Sequence, residues 1–208
     1  MGVFMLAVID YDAGNVKSAV KAFRALGEET ILTRDPEVIL KADHVVLPGV
    51  GNFGECMVRL KRYGLIPVIH DVIAQGTPFL GICVGEQLLF EASEESEGIP
   101  GLGVFKGKCV RFSDKPGMKV PQIGWNSLAI KPGSRLFAGI EDGSFVYFVH
   151  SYYAVPEEEI LTATCTYADV ACAAVERGSV FATQFHPEKS GAVGLKILEN
   201  FLAVKKEA

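Results

Sequence analysis

The sequence predicts an α/β fold: a three-layer αβα architecture on a mostly parallel central sheet, with a β-rich antiparallel insertion in its second half. Three observations predict it. Continuous apolar runs of strand length alternate with helical stretches through the first half, the pattern of strands covered on both faces. After Gly101 the chain turns to short β-rich runs broken by Gly, Pro and Asp, which read as hairpins. Near the C-terminus an apolar run and a closing helix return.

The elements follow in order. Val3–Ile9 is a buried strand, and Asn15–Leu26 a helix closed by Gly27. Thr30–Thr33 is a short strand, and His44–Leu47 a buried one that stops at Pro48-Gly49. Helices are expected over Glu55–Arg62 and Ile66–Gln75, then a strand over Pro78–Ile82 and a helix after Cys83. The acidic stretch Glu91–Gly98 reads as a solvated helix end and loop. The insertion supplies strands at Val104–Phe112, Gly124–Ile130, Ser144–Tyr153, Ile160–Tyr167 and Ala171–Arg177. Ser179–Phe185 then rejoins the main sheet, and Ala192–Val204 is the last helix. With no repeat, low-complexity tract or break in composition, residues 1–208 are expected to form one domain.

Composition narrows the function. A chain of 208 residues buries roughly 70% of its unfolded surface and needs no disulfide or metal to hold it together. A net charge of −5 argues against nucleic acid as a partner. Five cysteines (56, 83, 109, 165 and 172) are an odd number without C-x-x-C spacing, which points away from a disulfide framework or a zinc site. A reducing cytoplasm suits them. The N-terminal apolar run stops at Asp10, too short for a signal peptide or a membrane span, so no membrane is expected.

Three segments carry the chemistry. In Pro78-Phe79-Leu80-Gly81-Ile82-Cys83-Val84-Gly85-Glu86-Gln87 an apolar run flows into a helix, with glycines on both sides of the cysteine. An α/β enzyme exposes a nucleophile this way, and a helix N-terminus favours thiolate. A small buried residue at a strand end reads the same. In Gln184-Phe185-His186-Pro187-Glu188-Lys189-Ser190, His186 and Glu188 share one side of an extended chain, as a base and its orienter do. An ordinary surface pair has this pattern too. In Leu47-Pro48-Gly49-Val50-Gly51-Asn52-Phe53-Gly54, glycines follow a buried strand and leave backbone N–H groups free. With the Val84 N–H, the Gly51 N–H would form an oxyanion hole, and a flexible turn is the alternative.

Together these segments resemble the class I, or triad, glutamine amidotransferases, and within them the glutaminase subunits of imidazole glycerol phosphate synthase. The resemblance spans the chain. It includes Asp10–Asn15, Pro121-Gln122-Ile123-Gly124-Trp125-Asn126 and Phe148-Val149-His150-Ser151-Tyr152-Tyr153. It implies that Cys83 is the nucleophile, His186 the general base and acid, and Glu188 its orienter. Gln87 and the Ser151–Tyr152 backbone would hold the amino-acid end of L-glutamine, with Gly51 and Val84 on the oxyanion. Asn15, Gln122, Trp125 and Lys189 match positions near the face that docks a (β/α)₈-barrel cyclase as a heterodimer. No metal or organic cofactor is implied. Two residues depart from the pattern: Glu86 stands where methionine is usual and is expected to face solvent, and Gln122 replaces a histidine. Glycines let the Val50–Gly51 peptide take either orientation; if its carbonyl, not its N–H, points into the site at rest, the lone chain should be nearly inactive until a docked cyclase selects the flipped conformer.

Overall fold

The computed structural model describes residues 4–14 and 16–206. Strands β1 (Leu6–Ile9), β2 (Thr30–Thr33), β3 (His44–Gly49) and β4 (Phe79–Cys83) alternate with helices α1 (Val16–Ala25), α2 (Pro36–Lys41), α3 (Phe53–Arg62) and α4 (Leu65–Ala74). A single turn, α5 (Val84–Gln87), follows β4. The second half contributes β5 (Ala92–Ser93), β6 (Gly107–Arg111), β7 (Gln122–Ser127), β8 (Ala129–Ile130) and β9 (Phe145–His150). It continues with β10 (Tyr152–Pro156), β11 (Leu161–Thr166), β12 (Val170–Arg177), β13 (Val180–Thr183) and α6 (Gly191–Leu202).

The main sheet runs β2-β1-β3-β4-β13-β12-β11-β8. From β2 to β13 neighbours pair in parallel, and β12, β11 and β8 extend the sheet antiparallel. The α/β class predicted above is therefore present, with its hairpin-rich second half. Every residue of β1, β3, β4 and β13 is buried, as the unbroken apolar runs require of strands covered on both faces. Phe201 of α6 packs edge-on against both Phe23 of α1 and Phe181 of β13, tying those helices to the sheet.

Several elements differ from the sequence reading. Helix α2 was not expected; Asp35 caps it, accepting from the Glu37 N–H at 2.9 Å, and Pro36 opens it. The helix after Cys83 lasts one turn, because Leu89 and Phe90 donate three residues back to Glu86 and Gln87 and the chain tightens and leaves. A helix that short carries little macrodipole, so the helix-terminus argument made from the sequence does not apply to this turn. The run Ser144–Tyr153 is two strands: β9 pairs with β7 in a two-stranded sheet, and β10 joins β6 and β5 in another. The acidic stretch is more than a solvated loop. It holds β5, and it caps α3: Glu95 Oε2 accepts from the Phe53 N–H at 2.7 Å and Ser96 Oγ from the Gly54 N–H at 3.0 Å. Among the described residues no helix is long and apolar enough to cross a membrane.

Candidate active site

The carboxyl ends of β3, β4 and β13 lie side by side, with Gly49 registered on Cys83 and Thr183 on Ile82. Open α/β sheets gather ligands at such an edge. Cys83 turns there with φ +57° and ψ −113°, and apart from Asp12 it is the only non-glycine residue at positive φ among those described. Such a conformation costs about 1–3 kcal/mol and persists only where its surroundings impose it. Here the surroundings are backbone. A Cβ on Gly85 would lie 1.9 Å from the Leu47 carbonyl oxygen, and one on Gly81 would lie 2.7 Å from that of Gly85. The glycines let β3, β4 and α5 touch, and the contact drives the thiol outward.

His186 follows β13 after a bend at Gln184 and Phe185, and Glu188 lies in a 3-10 turn, Pro187–Lys189, so a tight turn and not the extended chain expected from the sequence brings the two buried side chains together. Its Nδ1 lies 2.8 Å from Glu188 Oε1. A carboxylate only accepts, so the imidazole carries its proton on Nδ1 and turns Nε2 to the nucleophile. Burial pulls the imidazole's basicity down. Hydrogen bonds with Cys83 and Glu188, and the negative charge those groups carry, outweigh it and raise the basicity well above the ordinary histidine value. The residues expected as nucleophile, base and orienter are thus brought together.

A cavity of about 290 Å³ opens beside Cys83 and His186. Gly51, Val84, Gln87, Ser151, Tyr152 and Lys189 all line it. Gln87 Nε2 donates to the Tyr152 carbonyl at 3.0 Å. Gly51 has φ +104°. The Val50 carbonyl is turned to Cys56 Sγ at 3.8 Å, and Cys56 does not line the cavity. An inward-pointing carbonyl would be a different orientation of this peptide.

The residues expected at a docking face divide. Trp125 is 55% exposed and Ile123 is 64% exposed, with Phe145 beside them on β9 at 56%. Strand alternation puts all three on the outer face of the β7–β9 sheet and Gln122 and His150 on the inner one. Gln122 is consequently buried, with its amide 3.1 Å from His150 Nε2, and offers no surface to a partner. His150 Nδ1 donates to the Tyr152 carbonyl at 2.9 Å, and burial holds the ring down at about 4, so it is neutral. Its bare Nε2 then calls for the NH₂ end of Gln122, a half-turn of that amide. Lys189 borders the cavity with its ammonium 6.0 Å from the Tyr147 ring. Asn15 lies outside the described residues.

Glu86 corrects the sequence reading outright. It is fully buried, not solvent-facing, with Oε1 accepting from Cys172 Sγ at 3.7 Å and Oε2 without a partner among the described residues. Desolvation pushes its carboxyl up to about 8, against a small opposing pull from the Cys172 thiol. Three site residues went unrecognised. Glu95 lines the cavity but was hidden in an acidic run. His150 was placed only with its motif. Gln184 stands two residues before His186 in the same motif, the i, i+2 spacing that drew attention to Glu188 and the one signal that could have found it.

A family model, glutamine amidotransferase class-I, matches residues 7–204. The chain is 49% identical over 205 residues to the imidazole glycerol phosphate synthase subunit HisH of Thermosynechococcus vestitus, covering 97% of this chain and 98% of the relative. It is 46% identical over 198 residues to the protein of that name from Methanocaldococcus jannaschii, covering 95% and 98%. Among solved structures, PurLQS from Thermotoga maritima superposes with a TM-score of 0.76 at 21% identity, covering 97% of this chain and 98% of that one. A putative GMP synthase protein from Thermoplasma acidophilum gives 0.72 at 21% identity, covering 97% and 94%. At that identity the structural likeness speaks for the fold alone.

Proposed function

Because the chain belongs to the class-I glutamine amidotransferases, we propose that it is the glutaminase subunit of an imidazole glycerol phosphate synthase. It hydrolyses L-glutamine to glutamate and ammonia and passes the ammonia to a cyclase subunit in histidine biosynthesis. The observation that carries the chemistry is the buried His186–Glu188 pair at 2.8 Å beside Cys83. Near-full-length identity of 46–49% to proteins named for that synthase supports the choice of pathway.

The Cys83 sulfur attacks the side-chain carboxamide carbon of glutamine. The carbon–nitrogen bond breaks, and His186 gives its proton to the departing ammonia. The γ-glutamyl thioester is then attacked by water, with His186 taking the proton, and glutamate leaves as the carbon–sulfur bond breaks. Glu188 holds the imidazole in the tautomer that both steps need. The Val84 and Gly51 N–H groups face the oxyanion, where losing one donor costs about 10²–10³ in rate. Gln87, the Glu95 carboxylate and the Ser151–Tyr152 backbone hold the amino-acid end. The partner is a separate (β/α)₈-barrel cyclase, docked on the face of Ile123, Trp125 and Phe145 with Lys189 at its edge. The pair is a cytoplasmic heterodimer, and no metal or organic cofactor takes part.

Glutamate release is to be measured for the chain alone, with the cyclase and its nucleotide ligand, and for Cys83→Ala under both conditions. Release that rises strongly with the cyclase and is absent in Cys83→Ala is the expected result. No release with a cyclase competent on added ammonia would refute the reading.

A further inference from the structure

Gln184 follows β13 directly and is fully buried. The triad chemistry assigns it no task, yet its amide touches two groups that have one. Its Oε1 accepts from Gln87 Nε2 at 2.9 Å, and its Nε2 lies 3.8 Å from Cys83 Sγ. Gln87 Nε2 also donates to the Tyr152 carbonyl, whose oxygen accepts a second bond from His150 Nδ1.

A side-chain amide can be turned over with almost no change of shape, so its partners decide which end points where. A backbone carbonyl only accepts. Tyr152 therefore draws the NH₂ end of Gln87 onto itself. The two protons of that NH₂ are then committed to Tyr152 and Gln184, and Gln184 must offer its oxygen. Its own NH₂ is left for the sulfur. Reversing Gln184 would set NH₂ against NH₂ at one end and oxygen against sulfur at the other. Polarity thus runs one way, from a fixed carbonyl through two amides to the nucleophile. Within the Gln87 amide, the hydrogen bonds of the described residues leave Oε1 uncommitted, and Gln87 lines the cavity.

We propose that Gln184 is a positioning residue that sets the polarity of the site at both ends: it locks Gln87 so that an oxygen, not an NH₂, meets the substrate, and it places a donor on the Cys83 sulfur. The proposal rests on reading the cavity as a glutamine site. An oxygen at that position suits an α-ammonium group and repels a substituent that only accepts. A donor on sulfur stabilises the negative charge that makes the attack.

Gln184→Met keeps the volume and removes both bonds. Two readouts separate its role from a merely structural one. The first is competition by glutamine analogues in which hydroxyl or fluorine replaces the α-amino group, because hydroxyl donates and fluorine only accepts. In the unaltered chain the hydroxyl analogue should bind about tenfold more tightly than the fluoro analogue. In Gln184→Met the Gln87 amide is free to turn over, and the gap should close to about threefold or less. The second is alkylation of Cys83 by iodoacetamide across pH, whose profile should move about one unit upward in the variant. A structural defect would weaken both analogues alike and keep their ratio. A folded Gln184→Met with the original ratio and profile overturns the proposal.

If that variant does not fold, nitrogen-15 NMR of the unaltered chain decides. One buried glutamine NH₂ signal, distinct from the pair shared with Tyr152, must shift when Cys83 is alkylated, and its absence overturns the proposal equally. Glutamine turnover lost in Cys83→Ala tests the glutaminase reading separately, so the two failures are distinguishable.

Discussion

Glu86 places a carboxyl where water does not reach, one residue before Gln87, which lines the cavity. Its ordinary value is 4.5, and burial pushes it up to about 8. Between those pH values the folded chain keeps a proton that the unfolded chain releases. Stability is therefore full below about 4.5 and is lost as pH rises toward 8, by an amount on the order of several kcal/mol. Glu86→Gln removes the ionisation and keeps the shape. Its stability gain, read from denaturant midpoints, should be small at pH 5 and several kcal/mol at pH 8. A gain independent of pH would mean that the carboxyl is ionised and solvated in the fold. The thiols around it share its fate: burial first, then the nearby Glu86 charge, raises Cys109 and Cys172 well above the usual thiol range and Cys165 to about 12.

At the scale of elements, the strand–elbow–helix unit depends on backbone touching backbone. A methyl group on Gly85 meets the Leu47 carbonyl at 1.9 Å, and neither partner is a side chain that could swing aside. Gly85→Ala should lower stability by about 3 kcal/mol or more, or prevent folding, measured by thermal unfolding of the purified chain. A variant within 0.5 kcal/mol of the unaltered protein, an order-of-magnitude allowance for a neutral surface change, would show that β3 and α5 separate easily. The buried strands were legible in the sequence because strands covered on both faces must be apolar throughout. Helix α2 was not, since six residues are too few for a helical period and only Asp35-Pro36 announced it. The division of Ser144–Tyr153 was illegible for another reason. No residue in the run breaks a strand; the chain changes sheets at Ser151 because the pairing partners, β7 for β9 and β6 for β10, belong to separate sheets.

For the whole molecule, the apolar outer face of β7 and β9 is the surface that the cyclase is proposed to cover. Aromatic residues at the centre of an interface carry much of its binding energy. Trp125→Ala should weaken cyclase binding by about 2 kcal/mol, roughly thirtyfold in Kd by calorimetry, with Cys83 alkylation unchanged. A Kd within about twofold of the original, far below the tenfold that 1.4 kcal/mol gives, would remove this face from the interface. The triad was readable because each member sits in a short motif. Glu95 and Gln184 were not, because their partners Phe53 and Gln87 lie far along the chain, and His150 was not, because its Nε2 partner Gln122 comes from another strand. The strand order carries a consequence for how the protein comes into being. The base strand β13 slots between β4 and β12, and 101 residues separate Cys83 from Gln184. A chain emerging from the ribosome has the elbow's residues long before the strand that flanks them. Until then β4 is the open edge of a half-built sheet, and the thiol has neither base nor pocket. Glutamine is safe from every incomplete copy, because the last strand to arrive in the core is also the one that arms the chemistry.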